Sequence, residues 1–256
     1  MCCDESNAQP SKNVDFFVYG GLAISADKVG ALSDDIGKIR REFGFNAESS
    51  LKFQSASRPS DLAHETWTLA KAATIDACVS HGAELIAVTI HHKIAESNKA
   101  HMTEWQLNTC LVEFNRRLEA RSDHGMVIID RIPDRREYSI LRDKFRLGGA
   151  TPWGGSNMFD RVVSYSSTSD GASHLASATD VVVGSLAFCM NQRHGGAGRC
   201  RVLYRSIEPM MWDQDDSSRS GPLPRGLIFS PAQVKSLKYS LQYDELRKHL
   251  AQLSAT

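Results

Sequence analysis

No apolar run in this chain of 256 residues reaches membrane-spanning length, which argues against an integral membrane protein. The opening residues lack a basic stretch followed by an apolar core, so no secretory signal is expected and the anticipated location is the cytoplasm. An excess of one charge is missing too, because 30 Lys and Arg balance 30 Asp and Glu. Without a broad basic field, any contact with nucleic acid has to come from a local patch. The six cysteines (Cys2, Cys3, Cys78, Cys110, Cys189 and Cys200) form no CxxC pair and have the spacing of neither a disulfide framework nor a zinc knuckle. Reduced thiols are the simplest account. The chain also has no GxxxxGK[ST] phosphate loop, no HExxH helix and no GxSxG elbow. His91, His92, Glu96 and His101 come nearest to a zinc set, but alternation sends His91 and His92 to opposite faces of a continuing strand.

What is present is an alternation of strand and helix patterns. Cys2–Ser6 is read as a short opening strand and Asp15–Ser25, rich in aromatic and branched residues, as a second. Gly20 and Gly21 inside the latter mark a bulge or a close backbone approach. Helical spacing follows over Ser25–Phe43, with Ser25 as cap, then a weak strand over Glu48–Gln54 and a helix over Ser60–Ser80. Glu84–His91 is a strand, Thr103–Arg121 a helix, and Gly125–Arg131 an apolar strand expected to be covered on both faces. A helix over Asp134–Phe145, a glycine-rich loop over Gly148–Asn157, a strand over Arg161–Ser166 and a helix over Ser169–Met190 complete the main body. Beyond lie a glycine-rich turn at His194–Gly198, an edge strand over Arg199–Ile207, a polar linker over Asp213–Pro224, and a last helix over Pro231–Leu253 capped by Ser230. This mixture indicates an α/β fold, a sheet with helices packed on it.

Three acids fall where solvent-facing charges do not belong. Asp4 follows the opening strand, Asp130 ends the most apolar one, and Asp180 sits in a helix with small and apolar neighbours, Ala176, Ser177, Val183 and Gly184. Alternation groups Asp4 with Cys2 and Ser6, turns Glu5 the other way with Cys3, and groups Asp130 with Ile128 and Met126. A buried carboxylate needs a cation, a donor or a metal. Two like charges ~4 Å apart repel by roughly 4 kcal/mol at an effective dielectric of ~20. Converging acids would therefore call for a divalent ion such as Mg²⁺ or Mn²⁺, which takes carboxylate oxygens and promotes phosphodiester hydrolysis. Taken singly, each acid also has an ordinary explanation: a turn residue for Asp4, a neighbouring cation for Asp130, a buried hydroxyl for Asp180.

In order and spacing, Asp4-Glu5-Ser6, the Phe16–Ile24 strand, Leu51-Lys52-Phe53, Ile128-Ile129-Asp130 and Ala178-Thr179-Asp180 resemble the bacterial and phage-associated domain of unknown function 3800 family. The likeness spans about residues 1–190. It implies a ribonuclease H-like mixed sheet flanked by helices and a metal-dependent nuclease, with nucleic acid as partner and Mg²⁺ or Mn²⁺ as cofactor. It implies metal-binding roles for Asp4, Asp130 and Asp180, and makes Lys52 the family lysine that contacts a scissile phosphate or holds a carboxylate. The family places a Glu two residues before that lysine; here the position is Ser50 and the nearest candidate is Glu48. Two further departures are Asn7 where the family has Gly, and Ser177 where it has Gln.

The expected organisation is a ribonuclease H-like domain over 1–210 and a linker with a C-terminal helical appendage over 211–256. Two alternatives to the nuclease stand beside it: a non-catalytic binding or scaffold module that keeps the fold, and a small-molecule phosphoesterase. Arg142, Lys144 and Arg146 form the best candidate basic patch, against the alternative of an ordinary solvated surface. With only three residues before Asp4, the opening strand is short for a central one, which fits a natural start further upstream.

Overall fold

A computed structural model of the chain describes residues 1–11, 13–96, 101–131, 137–150, 156–169, 171–192, 197–212, 223–224 and 226–255. The strands are β1 (Cys2–Ser6), β2 (Phe16–Ala23), β3 (Glu84–His91), β4 (Gly125–Asp130), β5 (Gly149–Ala150), β6 (Ser156–Asn157), β7 (Val162–Thr168) and β8 (Leu227–Ser230). The helices are α1 (Ala26–Glu42), α2 (His64–Ser80), α3 (His92–Ala95), α4 (Met102–Ala120), α5 (Glu137–Leu147), α6 (His174–Asn191), α7 (Ala197–Ile207) and α8 (Leu237–Ser254). The fold is α/β, as expected. Among the described residues no helix is long and apolar enough to cross a membrane.

The main sheet has six strands in the order β7-β4-β1-β2-β3-β8. β1, β2 and β3 form an antiparallel meander in the middle. β4 runs parallel to β1 and β7 parallel to β4, while β8 runs parallel to β3 at the opposite edge. The chain therefore moves to one side of β1 for β2 and β3, then returns to the other side for β4 and β7. The gap between β1 and β4 is where the strand order reverses, and such a point is where open α/β sheets place ligands, beyond the carboxyl ends of the strands.

Alternation along β2 supplies two cores. Phe16, Val18 and Leu22 face one cluster with residues of α1, α2, α6, α7 and α8. Phe17, Tyr19 and Ala23 face the other, with α4 and α5 residues such as Leu107, Phe114 and Ile140. The two glycines of β2 serve close approach: a Cβ on Gly20 would lie 3.0 Å from Cγ2 of Val183 on α6, and one on Gly21 would lie 2.7 Å from the Met1 side chain.

Several local expectations are corrected. Glu48–Gln54 is not a strand but an irregular segment followed by a short 3₁₀ turn at Ser55–Ser57. α2 begins at His64 rather than near Ser60, and α6 is capped by Ser173, whose hydroxyl accepts from the Leu175 amide at 3.2 Å. Arg199–Ile207 is helix rather than edge strand: Cys200, Tyr204 and Ile207, spaced by four and three, all point into the core. Of the Gly148–Asn157 loop, the ends pair as β5 and β6, and residues 151–155 lie outside the described set. Of the expected turn at His194–Gly198, residues 194–196 lie outside the described set and Gly198 is already in α7; of the linker at Asp213–Pro224, residues 213–222 lie outside it.

β4 is covered on one face only. Val127 and Ile129 are buried against the α4 side, whereas Met126 is 52% exposed and Ile128 and Asp130 are half-buried. The cause is the position of α6, which packs across β1 and β2 and leaves β4 and β7 open on that side. The expected C-terminal appendage is instead part of the body. Leu227–Ser230 supplies the sixth strand, and α8, which starts at Leu237 rather than Pro231, buries Tyr243, Leu246, Leu250 and Leu253 in the first core.

Candidate metal centre

Asp4 lies in β1, whose register pairs Cys2 with Ile128 and Cys3 with Ile129 of β4. One step further along these two parallel strands come Asp4 and Asp130, at the same carboxyl-end rim. Cys3 belongs to the α4-side core, so alternation turns Cys2 and Asp4 to the α6 side. The electrostatics agree with this: the Thr179 side chain, immediately before Asp180 on α6, opposes the rise that burial imposes on the Cys2 thiol. Glu5 faces the opposite way, accepting the Thr103 hydroxyl from α4 at 2.9 Å.

The three acids share one electrostatic environment. Asp4 is 8% exposed, and its carboxyl is pushed up from 3.8 to about 7, first by burial and next by the Asp180 carboxylate, with a smaller push from Asp130. The Glu5 amide opposes this by donating to Oδ1 of Asp4 at 2.7 Å. Asp180 is also raised, chiefly by burial; the Phe53 amide and the Lys52 ammonium hold it down, and Asp130 pushes it up. Asp130 accepts the Arg131 amide through Oδ1 at 2.9 Å and stands at the open face of β4.

Lys52 is delivered by an irregular segment with three fixings. Leu51 is buried in the first core, the Phe53 amide donates to Oδ2 of Asp180 at 2.6 Å, and the Phe53 ring lies against α6 where Gly184 has no side chain. Glu48 is exposed in a turn held by Asn46, whose Oδ1 accepts the Glu48 amide at 3.0 Å and the Ser49 amide at 2.7 Å.

A second lysine, Lys71 on α2, belongs to this neighbourhood. Its Nζ sits 3.3 Å from the centroid of the Trp67 ring and 4.5 Å from that of Phe53, and donates to the Phe53 carbonyl at 3.4 Å. Burial lowers its pKa to about 8, and Asp180 partly restores it. The sequence signal is Trp67 and Lys71 four residues apart on one helical face, a spacing that also describes an ordinary solvated lysine. The basic patch at Arg142, Lys144 and Arg146 is partly spent within the fold. Arg142 pairs with Asp143 at 3.0 Å, and Lys144 turns toward α4 to donate to Asn108 at 3.3 Å.

Hard oxygen donors with mutual repulsion are suited to a divalent cation. Among the described residues, however, no group of three or more His, Cys, Asp or Glu side chains is disposed to hold a metal ion. The donor chemistry fits Mg²⁺ or Mn²⁺, while the side chains as they stand do not close around one. No family model, curated protein or solved structure matches the chain.

Proposed function

We propose that the chain is a ribonuclease H-like, Mg²⁺- or Mn²⁺-dependent nuclease that hydrolyses phosphodiester bonds at the rim carrying Asp4, Asp130 and Asp180. The observation that carries this reading is the raised carboxyl of Asp4, held up by burial and by two acids from other elements, at the point where the strand order reverses. Acids gathered so that they repel one another are what a divalent cation relieves. The mixed sheet, with its central meander and two parallel strands beside β1, supports the ribonuclease H-like part of the reading.

When bound, the divalent ion supplies an activated water and a counter-charge for the leaving oxygen. The chain's own residues do the rest. Asp4, Asp130 and Asp180 would hold the ion. Lys52 neutralises Asp180 and addresses a substrate phosphate, and Lys71 adds a second cation on the α2 side. Glu48 has at most an accessory part, because its turn holds it at the surface. The open face of β4 beside Asp130 leaves room for a polymer to approach.

The test is cleavage of single-stranded, duplex and hybrid substrates with Mg²⁺ or Mn²⁺, paired with metal-induced thermal stabilisation. Wild type should cleave at least one substrate and gain stability with Mn²⁺, and Asp130→Asn should lose both. No cleavage of any substrate, with the same Mn²⁺ response in Asp130→Asn, removes the assignment. One observation favours a second reading, a binding module that keeps the fold: the described acids are not disposed to hold a metal ion, and Ser50 stands where the resemblance calls for Glu. That module binds nucleic acid without cleaving it.

A further inference from the structure

Beside the acid rim lies a cavity of about 950 Å³, walled by α2, α6, α7 and the Phe53–Ala56 segment. It is at the upper end of the roughly 300–1,000 Å³ of ordinary ligand sites. Its position is tied to the rim by two short connections. Ser6, on the same strand face as Asp4, lines it; so do Gly184 and Phe188, one and two turns beyond Asp180 along α6. One turn of helix is ~5.4 Å, so the cavity starts within a single nucleotide's reach of the carboxylates.

The lining has a definite chemistry. Phe53 and Phe188 stand with ring centroids 6.0 Å apart, and His64 and Trp67 continue the aromatic wall at 5.5 Å. Lys71 and Arg199 add positive charge, and among the described lining residues there is no acid at all, in a chain whose total charge is balanced. Asn13, Gln54, Ser55 and Thr68 bring amides and hydroxyls. An alkyl chain would use the apolar wall and leave those polar groups idle. A planar heterocycle carrying a phosphate uses all three kinds of group: stacking on the rings, hydrogen bonds to the amides, and a cation for the phosphate.

We propose that this cavity is a nucleotide subsite for single-stranded nucleic acid, taking an unstacked base against Phe53 and Phe188 with a flanking phosphate at Arg199. The assignment rests on the nuclease reading for its substrate class and deepens it toward single strands. Bases paired in a duplex keep their faces stacked on one another and cannot enter such a site.

The experiment is binding of a short labelled oligothymidylate by fluorescence anisotropy in EDTA, so that cleavage plays no part. Wild type should bind the single strand at least tenfold more tightly than a duplex of equal length. Stacking is worth about 1–3 kcal/mol per base, so Phe188→Leu should weaken binding roughly five- to hundredfold while its melting temperature confirms folding. Arg199 is exposed, so Arg199→Gln should fold normally and reduce the salt slope by about 0.7. Equal affinity for duplex and single strand, wild-type binding by both variants, or displacement of the oligonucleotide by equimolar dodecanoate would overturn the subsite. Tight, Phe188-dependent binding without cleavage in Mg²⁺ or Mn²⁺ sustains the subsite and removes only the catalytic reading. Cleavage with an unchanged KM in both variants does the reverse.

Discussion

The backbone amide of Phe53 donates to Oδ2 of Asp180 at 2.6 Å, joining two residues 127 positions apart. This bond gives Asp180 two functions. It is a charge at the acid rim and the acceptor that holds the Lys52 segment in place. The two separate by substitution. Asp180→Asn keeps an acceptor oxygen and removes the charge, whereas Asp180→Ala removes both. A hydrogen bond to a charged group contributes about 1.5–3 kcal/mol. Asp180→Ala should therefore be destabilised by about that amount, with faster hydrogen exchange at the Phe53 amide. Asp180→Asn should remain close to wild type in stability and, on the proposed function, should lose the stabilisation by Mn²⁺. Equal exchange at Phe53 in both variants would show that the bond does not hold the segment.

Gly184 is the second support of that segment. A Cβ there would lie 2.5 Å from Cβ of Phe53, closer than real side chains approach. Two effects compete in Gly184→Ala. Helix propensity gains up to about 1 kcal/mol, and overpacking costs about 1–3 kcal/mol. The clash wins, because relief requires Phe53 to move and so gives up its amide bond to Asp180. The expected result is a net loss of roughly 1–2 kcal/mol in urea unfolding and faster exchange at the Phe53 amide. A stability gain would mean that the Leu51–Phe53 segment yields freely.

The parts of this arrangement that the sequence shows are those governed by local period. Alternation alone separates Asp4 from Glu5, and the groups they meet lie on opposite sides, Asp180 of α6 for Asp4 and Thr103 of α4 for Glu5. Helical spacing places Gly184 on the Asp180 face. What the sequence conceals depends on distant chain. Lys71 looks like a solvated helix residue until Phe53 is laid beside it. Leu227–Ser230 is too short to display a period, and it becomes a strand because β3 offers an edge. Met126 looks like a core residue in an apolar run, yet α6 stops short of it.

Asp4 makes the stability of the protein depend on pH in an unusual direction. Its carboxyl is raised from 3.8 to about 7 in the fold, mainly by burial and then by Asp180. Below about pH 4 the group is protonated in both folded and unfolded chains and has no effect. Between about pH 4 and 7 the unfolded chain ionises while the folded one does not, so stability falls as pH rises; above about 7 the loss is complete. A shift of this size corresponds to an upper bound of about 4 kcal/mol. Asp4→Asn should be more stable than wild type at pH 8 by up to that amount, and indistinguishable from it at pH 4, in denaturant unfolding with EDTA. The same gain at both pH values would mean that ionisation of Asp4 is not its source.

Tyr243 tests whether the C-terminal segment belongs to the body. Its hydroxyl donates to the Ser230 carbonyl at 2.5 Å and accepts the buried His91 amide at 2.8 Å, so one side chain of α8 ties the ends of β8 and β3 together. Its ring meets Phe16 edge-on at a centroid distance of 5.2 Å, so Tyr243→Phe keeps the packing and deletes only the hydroxyl. Tyr243→Phe loses both hydrogen bonds of the hydroxyl, and at about 0.5–1.5 kcal/mol each the cost is about 1–3 kcal/mol. A destabilisation of that size, in a single cooperative unfolding transition, is the expected outcome. If α8 were an appendage, Tyr243→Phe would lower only an early, separate transition and leave the main one where it is in wild type. Both transitions are readable in one experiment by following tryptophan fluorescence and far-ultraviolet circular dichroism through the same urea series. Coincident curves that shift together would place β8 and α8 in the same folding unit as the strands that carry Asp4 and Asp130.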